Sequence, residues 1–510
     1  MGKEIDRGPA IREDRSHRMM KKSKLLVLTF LLAPLGAPVF AGTGDTTEPY
    51  QTSWESLGRY ECPEWFRDAK FGIYAHWGPY AVPASHDEWY SRNMYFRFRE
   101  RQEELHGPLK EFGYKDFVPD FKGENFDADE WAELYRKAGA KFAGPVAEHA
   151  DGFTMWDSKL TKWDCVEMGP KRDITAELEK AIRDRGMKFV ATFHHQWLWG
   201  WYPTWDETTD ASDPRYSGLY GPKVGRDQFT ESAMRDEPFC KLWQEKVDEV
   251  VVKYRPDMIW FDTRMHLILE PYRLKMAANF YNSGQKDGRD VILTYKNEDM
   301  AKGTGTFNME RSRMQDIHPD PWQTDTSIAS NSWGYVEGLK YYSTQRLLQD
   351  LVDIVSKNGC VLLNIAPRAD GSIPQEQVDR LLAMGKWLEV NGEAVYATRP
   401  WKIFGEGPAI IPEEHLADLK FKGFCAEDVR FTQSKDGKTL YVHCLDKPES
   451  GSISIKSLGS AAGHLTADPK SVTMPGSRAK TQWHRNADAL TLLFPGELPS
   501  EHVYVFKLEL

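Results

Sequence analysis

The sequence predicts a (β/α)8 TIM-like barrel followed by a C-terminal antiparallel β-sandwich. From about residue 60 to 400, short apolar runs alternate with amphipathic helical segments, the pattern of a parallel sheet with helices outside it. Eight such runs occur, which suits a closed barrel better than an open sheet. Beyond Trp401 the alternation stops, and short strand-like runs punctuated by turn signals take over.

Taken in order, Phe71 to Ala75 is apolar and ends at His76-Trp77-Gly78. Phe142 to Ala147 ends at Glu148-His149, and Phe189 to Phe193 ends at His194-His195-Gln196. Met258 to Phe261 follows the helix-ending Pro256 and stops at Asp262. A short apolar run behind a turn signal reads as a strand buried on both faces. Val291 to Tyr295 ends at Lys296-Asn297, and Thr306 to Met309 ends at Glu310-Arg311. A weaker strand covers Trp322 to Ser327, and Cys360 to Ile365 closes the series. Between them, Ile174, Leu178, Ala181 and Ile182 mark one face of a helix from Asp173 to Arg185, stopped by Gly186. Leu347, Leu348, Leu351, Ile354 and Val355 mark another that stops near Gly359. No G-x-G-x-x-G follows a strand, which weighs against a dinucleotide fold.

In the last hundred or so residues, Phe431 to Gln433, Leu440 to His443, Ile453 to Ile455 and Val503 to Lys507 are strand-like, and Asp436-Gly437 reads as a hairpin turn. The expected domains are therefore a barrel over 54–401 and a sandwich over 402–510. At the other end, Met19 to Lys24 is a basic segment, Leu25 to Leu35 is mostly apolar, and Val39-Phe40-Ala41 offers a cleavage site. Residues 1–41 thus read as a signal peptide with a possible upstream extension, which implies a secreted or periplasmic protein. The apolar run is too short for a membrane anchor and contains Pro34 and Pro38, and no other stretch could span a membrane.

Composition narrows the partners. A net charge of -10 argues against nucleic acid as the main partner. Aromatics make up 13% of residues, with 18 Trp, enough for a cleft that stacks on sugar rings as well as for a large core. None of the six Cys forms a C-x-x-C pair, so a zinc site is not expected; both disulfides and free thiols remain open.

The strand ends repeat one pattern: an apolar body, then His, Asp, Glu or Lys. In a barrel these ends converge on the C-terminal mouth, where chemistry is done. An unpaired carboxylate at the end of a buried strand is costly, so Asp262 is the expected centre of an active site.

At these residues the sequence resembles glycoside hydrolase family 29, the α-L-fucosidases. The resemblance rests on Trp65 to Gly78, Glu88-Trp89-Tyr90, His149 with Asp151-Gly152-Phe153 and Trp156-Asp157-Ser158, and Asp257 to Asp262. It continues through Ser332-Trp333-Gly334-Tyr335 and Lys357-Asn358-Gly359 to Pro367 and Asp370-Gly371. It implies a retaining exo-glycosidase acting on a fucosylated glycan or polysaccharide, with no metal and no organic cofactor. Asp262 matches the nucleophile, and His76, Glu88, Trp89, His149 and His194 match the sugar pocket. Lys296 and Trp333 are expected to bind substrate with them. The acid/base candidate is Glu310, with Glu298, Asp299 and Asp325 behind it; the neighbouring Arg311 and Arg313 could instead hold Glu310 in a structural ion pair. Two departures stand out. Ala150 replaces the second His of a family pair, which opens the way to an α-L-galactosidase. Gln323 stands where many relatives carry Glu, and Gln cannot act as a general acid. A carbohydrate-binding pseudoenzyme is a further alternative. The loop from Trp197 to Gln228, with Trp199, Trp201, Trp205, Arg215, Lys223 and Arg226, reads either as an outer subsite wall or as a packed excursion.

Overall fold

Eight parallel strands close in sequence order into a barrel, with the first paired to the last. They are β1 (Phe71–Ala75), β2 (Phe142–Glu148), β3 (Lys188–Phe193), β4 (Met258–Phe261), β5 (Ile292–Tyr295), β6 (Thr306–Glu310), β7 (Trp322–Ser327) and β8 (Gly359–Ile365). The computed structural model describes residues 48–226, 236–412 and 416–510; the expected signal peptide and Gln228 lie outside them.

Inward positions repeat every second residue along each strand. Tyr74, Val190, Met258, Trp260, Ile292 and Leu362 meet in a core inside the barrel, with Phe66 beneath. Gly72 has no Cβ because the Phe142 ring fills its place; an added Cβ would lie 2.2 Å from that ring. Continuing the same parity past the strand ends brings His76, His194, Asp262, Lys296, Glu310, Asp325 and Asn364 to the mouth. Strand β2 departs from it. Its register against β3 shifts between Val146 and Glu148. Such an irregularity re-aims side chains. Glu148 turns outward, where Lys246 meets it at 2.6 Å, and His149 takes the inward place. β7, the weak strand of the sequence pattern, is buried at all six positions.

Helices Ala128–Lys137, Ile174–Asp184, Glu237–Tyr254, Glu270–Lys286, Thr344–Ser356 and Gln375–Asn391 pack outside. The Asp173 side chain caps the second of these, accepting from the Ala176 N–H. Among the described residues no helix stands between β5 and β6 or between β6 and β7, so the helical ring is incomplete on that flank. No described helix is long and apolar enough to cross a membrane. All six cysteines are free.

A five-stranded antiparallel sheet follows, ordered β13-β16-β11-β10-β9, with a three-stranded sheet ordered β12-β15-β14. Here β9 is Arg399–Glu406, β10 Val429–Gln433, β11 Thr439–Cys444, β12 Ser452–Ile455, β13 Ser471–Thr473, β14 Trp483–Arg485, β15 Leu490–Leu493 and β16 Tyr504–Glu509. Phe431, Val442, Ile455, Leu492 and Phe506 fill one shared core between the two sheets. The Asp436-Gly437 turn joins β10 to β11, with Gly437 at φ +69°.

Buried charges tie this unit to the barrel. Asp353, on helix Thr344–Ser356, meets Lys357 at 3.0 Å, Arg430 of β10 at 2.5 Å and Arg313 at 3.5 Å. Burial opposes the Asp353 charge, but these cations prevail and hold its pKa below the usual carboxylate range. A depressed folded-state value contributes stability at neutral pH that is lost as pH falls. Asp353→Ala leaves the cations buried without their partner and is expected to cost about 3–5 kcal/mol. The denaturant midpoint at neutral pH measures this, and a loss below about 1 kcal/mol would contradict it.

Candidate active site

The mouth of the barrel is organised around one buried ammonium. Lys296 Nζ lies 3.1 Å from Asp262 Oδ1, 3.0 Å from Glu310 Oε2 and 3.4 Å from Asp325 Oδ1. Burial disfavours the charge on Lys296, yet the three carboxylates raise its pKa above that of an ordinary lysine. The carboxylates are affected differently. Burial pushes Asp262 upward, but Lys296 and the hydrogen bond from His194 Nδ1, at 3.4 Å, hold it well below the usual range. Asp325 is buried more deeply and is pushed up to about 7, with Glu310 and Asp262 adding to the burial effect. Asn308 Nδ2 donates to Asp325 at 2.5 Å. Gln323 Nε2 donates in turn to Asn308 Oδ1 at 2.9 Å. Gln323 is therefore a buried brace for Asp325.

All three carboxylates line the cavity, but the side chains of Asp262 and Glu310 remain 19% and 20% exposed, against 2% for Asp325, so the first two are the more open to it. Arg311 and Arg313 turn away from Glu310. Arg311 stacks on Trp333 with Cζ 4.2 Å from the ring, and Arg313 pairs with Asp350 and Asp418. Asp299 accepts from His266, and Glu298 lies along an outer groove.

The cavity holds about 320 Å³, at the small end of ligand sites. His76, Glu88, Trp89, His149, His194, Lys296, Trp333, Asp262 and Glu310 all line it, so the structure brings together every expected site residue. Asn364 Oδ1 accepts from the His76 backbone N–H at 2.9 Å and from His76 Nδ1 at 2.8 Å. That bond places the His76 proton on Nδ1 and leaves Nε2 as an acceptor. Burial, with neighbouring His194, pushes the pKa of both His76 and His149 well down, so these rings are neutral. Glu88 is pushed up to about 7 by burial and by Asp87, and it accepts the Trp333 N–H at 3.0 Å. The three imidazoles also lie close enough together to ligate a metal. Their other contacts, an amide on His76 and a carboxylate on His194, equally suit hydrogen bonding to hydroxyl groups.

Ala150 is buried and does not line the cavity, so the replaced His is not a change in the cavity wall. In the loop after β3, Trp197 alone of the four tryptophans reaches the cavity. Trp199 and Trp201 are packed beneath, with Trp201 4.7 Å from Trp89, and Trp205 lies under Arg226. Tyr74, Trp260, Thr263 and Leu416 line the cavity as well. Tyr74 and Trp260 could have been found by stepping back two residues from His76 and Asp262. Leu416 carries no local signal.

A family profile for α-L-fucosidase matches residues 39–393, and one for the α-L-fucosidase C-terminal domain matches 422–509. The chain is 31% identical to rat tissue α-L-fucosidase over 497 residues, covering 94% of this chain and 96% of the relative. It is 30% identical to human tissue α-L-fucosidase over 504 residues, again covering 94% and 96%. The crystal structure of Thermotoga maritima α-fucosidase in complex with fucose superposes with a TM-score of 0.71 at 26% identity. That likeness spans 90% of this chain and all of the other.

Lys296→Met removes the cation from three clustered carboxylates. The folded-state pKa values of Asp262 and Asp325, both of which Lys296 lowers, should then exceed the unfolded ones, and the folded state binds the extra protons. The variant is expected to gain stability as pH falls from about 7 to about 5. In the parent protein Asp262 contributes no slope over that range, because its depressed pKa makes its contribution vanish only at lower pH, and Asp325, already raised to about 7, supplies the smaller gain there. Denaturant midpoints of both proteins across that range test this, and parallel profiles would contradict it.

Proposed function

The chain belongs to the α-L-fucosidase family of glycoside hydrolases, and on that premise we propose that it releases terminal α-L-fucose from fucosylated glycans with retention of configuration. Asp262 is the nucleophile and Glu310 the acid/base. The observation that carries this reading is the shared contact with Lys296 Nζ. Because Asp262 and Glu310 both touch that atom, their nearest oxygens are at most about 6 Å apart. Retaining enzymes keep the two carboxyl groups about 5–5.5 Å apart, and inverting enzymes about 6.5–9.5 Å. The Thermotoga maritima enzyme, with a TM-score of 0.72 at 26% identity, has been solved with a mechanism-based inhibitor, which agrees with a covalent intermediate.

In the first step an Asp262 oxygen attacks the anomeric carbon as the bond to the aglycone oxygen breaks, and Glu310 gives its proton to that oxygen. Lys296 keeps Asp262 ionised at the start. Once the ester forms, Asp262 has lost its charge, and the ammonium is left to stabilise the Glu310 carboxylate. Glu310 then takes a proton from water, the hydroxyl adds to the anomeric carbon, and Asp262 leaves as carboxylate. The neutral imidazoles of His76 and His149, with Glu88, suit ring hydroxyls, while Trp89, Trp197 and Trp333 offer faces to the apolar side of a 6-deoxy sugar. The basic and apolar character of residues 19–41 supports export before the enzyme acts.

Asp262→Asn is expected to abolish turnover, by several orders of magnitude, while sugar binding persists. Near-normal hydrolysis of an aryl α-L-fucoside by this variant would overturn the assignment. Glu310→Ala should still form the glycosyl-enzyme from an activated aryl fucoside, with azide accelerating its breakdown, and should barely cleave a disaccharide. Equal losses on both substrates with no azide effect would move the acid/base role to another carboxylate.

A further inference from the structure

The missing helices between β5 and β6 and between β6 and β7 leave that flank of the barrel open, and two grooves occupy it. The first, of about 420 Å³, shares Thr263, Lys296 and Glu310 with the sugar cavity. The second, of about 790 Å³, shares Asn297, Phe307 and Met314 with the first. The grooves therefore adjoin one another in a series that starts at the acid/base and runs along the outside of β6.

Resting on the function proposed above, the geometry points to these grooves as the seat of the aglycone, and to an extended, uncharged oligosaccharide as that aglycone. The group that protonates the departing oxygen must stand beside it, so the aglycone leaves on the Glu310 side. The first groove lies there. Its walls carry Phe307, Met309 and Met314, all half-buried, with the exposed amides of Asn297 and Gln315 at its edge. Apolar faces and amide edges together suit a pyranose, which has an apolar face and a rim of hydroxyls. The second groove adds Tyr60 and Tyr295. The two grooves exceed the sugar cavity severalfold in volume, more than a single further ring requires.

Charge selects within the class. In the second groove Arg67, paired with Glu64 at 3.4 Å, and Lys302 stand with Glu61, Glu298 and Asp320. In the first, Arg313 is buried and taken up by Asp350 and Asp418. With no surplus of available cations along the walls, a sulfated chain gains nothing there.

The test compares kcat/KM for α-L-fucosyl fluoride, which has no sugar aglycone, with that for a fucosylated disaccharide, a longer neutral fucosylated oligosaccharide and a sulfated one of equal length. The expected result is a rise of about tenfold or more from disaccharide to longer neutral chain, carried by KM. Met314→Ala and Asn297→Ala should each reduce the ratio of the long-chain value to the fluoride value. Fluoride hydrolysis also reports that each variant is folded. Hydrolysis of the fluoride with no dependence on chain length, an undiminished ratio in both variants, or preference for the sulfated chain would overturn the groove and leave the fucosidase reading intact. Failure of the parent enzyme to hydrolyse the fluoride would overturn both.

Discussion

One ammonium among three carboxylates governs the active site. Lys296 is buried, and no water shell can take the place of its partners. Removing Lys296 would leave Asp262, Glu310 and Asp325 crowded together without a cation in a place where that is expensive. The same contact separates the carboxylates by function. Asp262 is held ionised, Glu310 faces the cavity, and Asp325 is braced by Asn308 and Gln323 and pushed up to about 7. Groups of one chemical type acquire different protonation behaviour through depth and partners alone.

The barrel supplies this arrangement through the period-two geometry of its strands. Strands β1, β4 and β8 fill the interior with an apolar residue and present a polar one two positions later, as in Tyr74 and His76, Trp260 and Asp262, or Leu362 and Asn364. Behind Glu310, the chain is clamped from the C-terminal side. The Asp418 backbone N–H donates to the Arg311 carbonyl at 2.8 Å, and the Asp418 carboxylate pairs with Arg313. Leu416, two residues earlier, lines the sugar cavity. Residues beyond the barrel thus take part in fixing the wall that carries the acid/base candidate.

Much of this was legible before the structure, because buried strands that end in charge carry their own signal. Asp262, His76, His194 and Lys296 follow from it. The remainder was hidden for identifiable reasons. Strand β7 reads Trp-Gln-Thr-Asp-Thr-Ser and looks weak, since its polar residues are satisfied only by distant partners such as Asn308 and Ser312. Glu148 and His149 are adjacent at one strand end; the family resemblance points to His149, and the register shift in β2 is what turns it inward. Ala150 drew attention through what it lacks, yet it stands off the cavity wall. Leu416 comes from a segment with no motif, brought in by tertiary packing. The open flank beside β6 depends on helices that are absent, which apolar periodicity in neighbouring segments does not announce.

The central claim is that Asp262 forms the covalent bond to the sugar. The most direct measurement is mass spectrometry of the proteolysed enzyme after reaction with 2-fluoro-fucosyl fluoride, whose fluorine slows breakdown of the glycosyl-enzyme. The account predicts a fluorofucosyl group on the peptide that contains Asp262, attached at that residue. Attachment at Glu310 or Asp325, or inactivation with no labelled peptide, would contradict it.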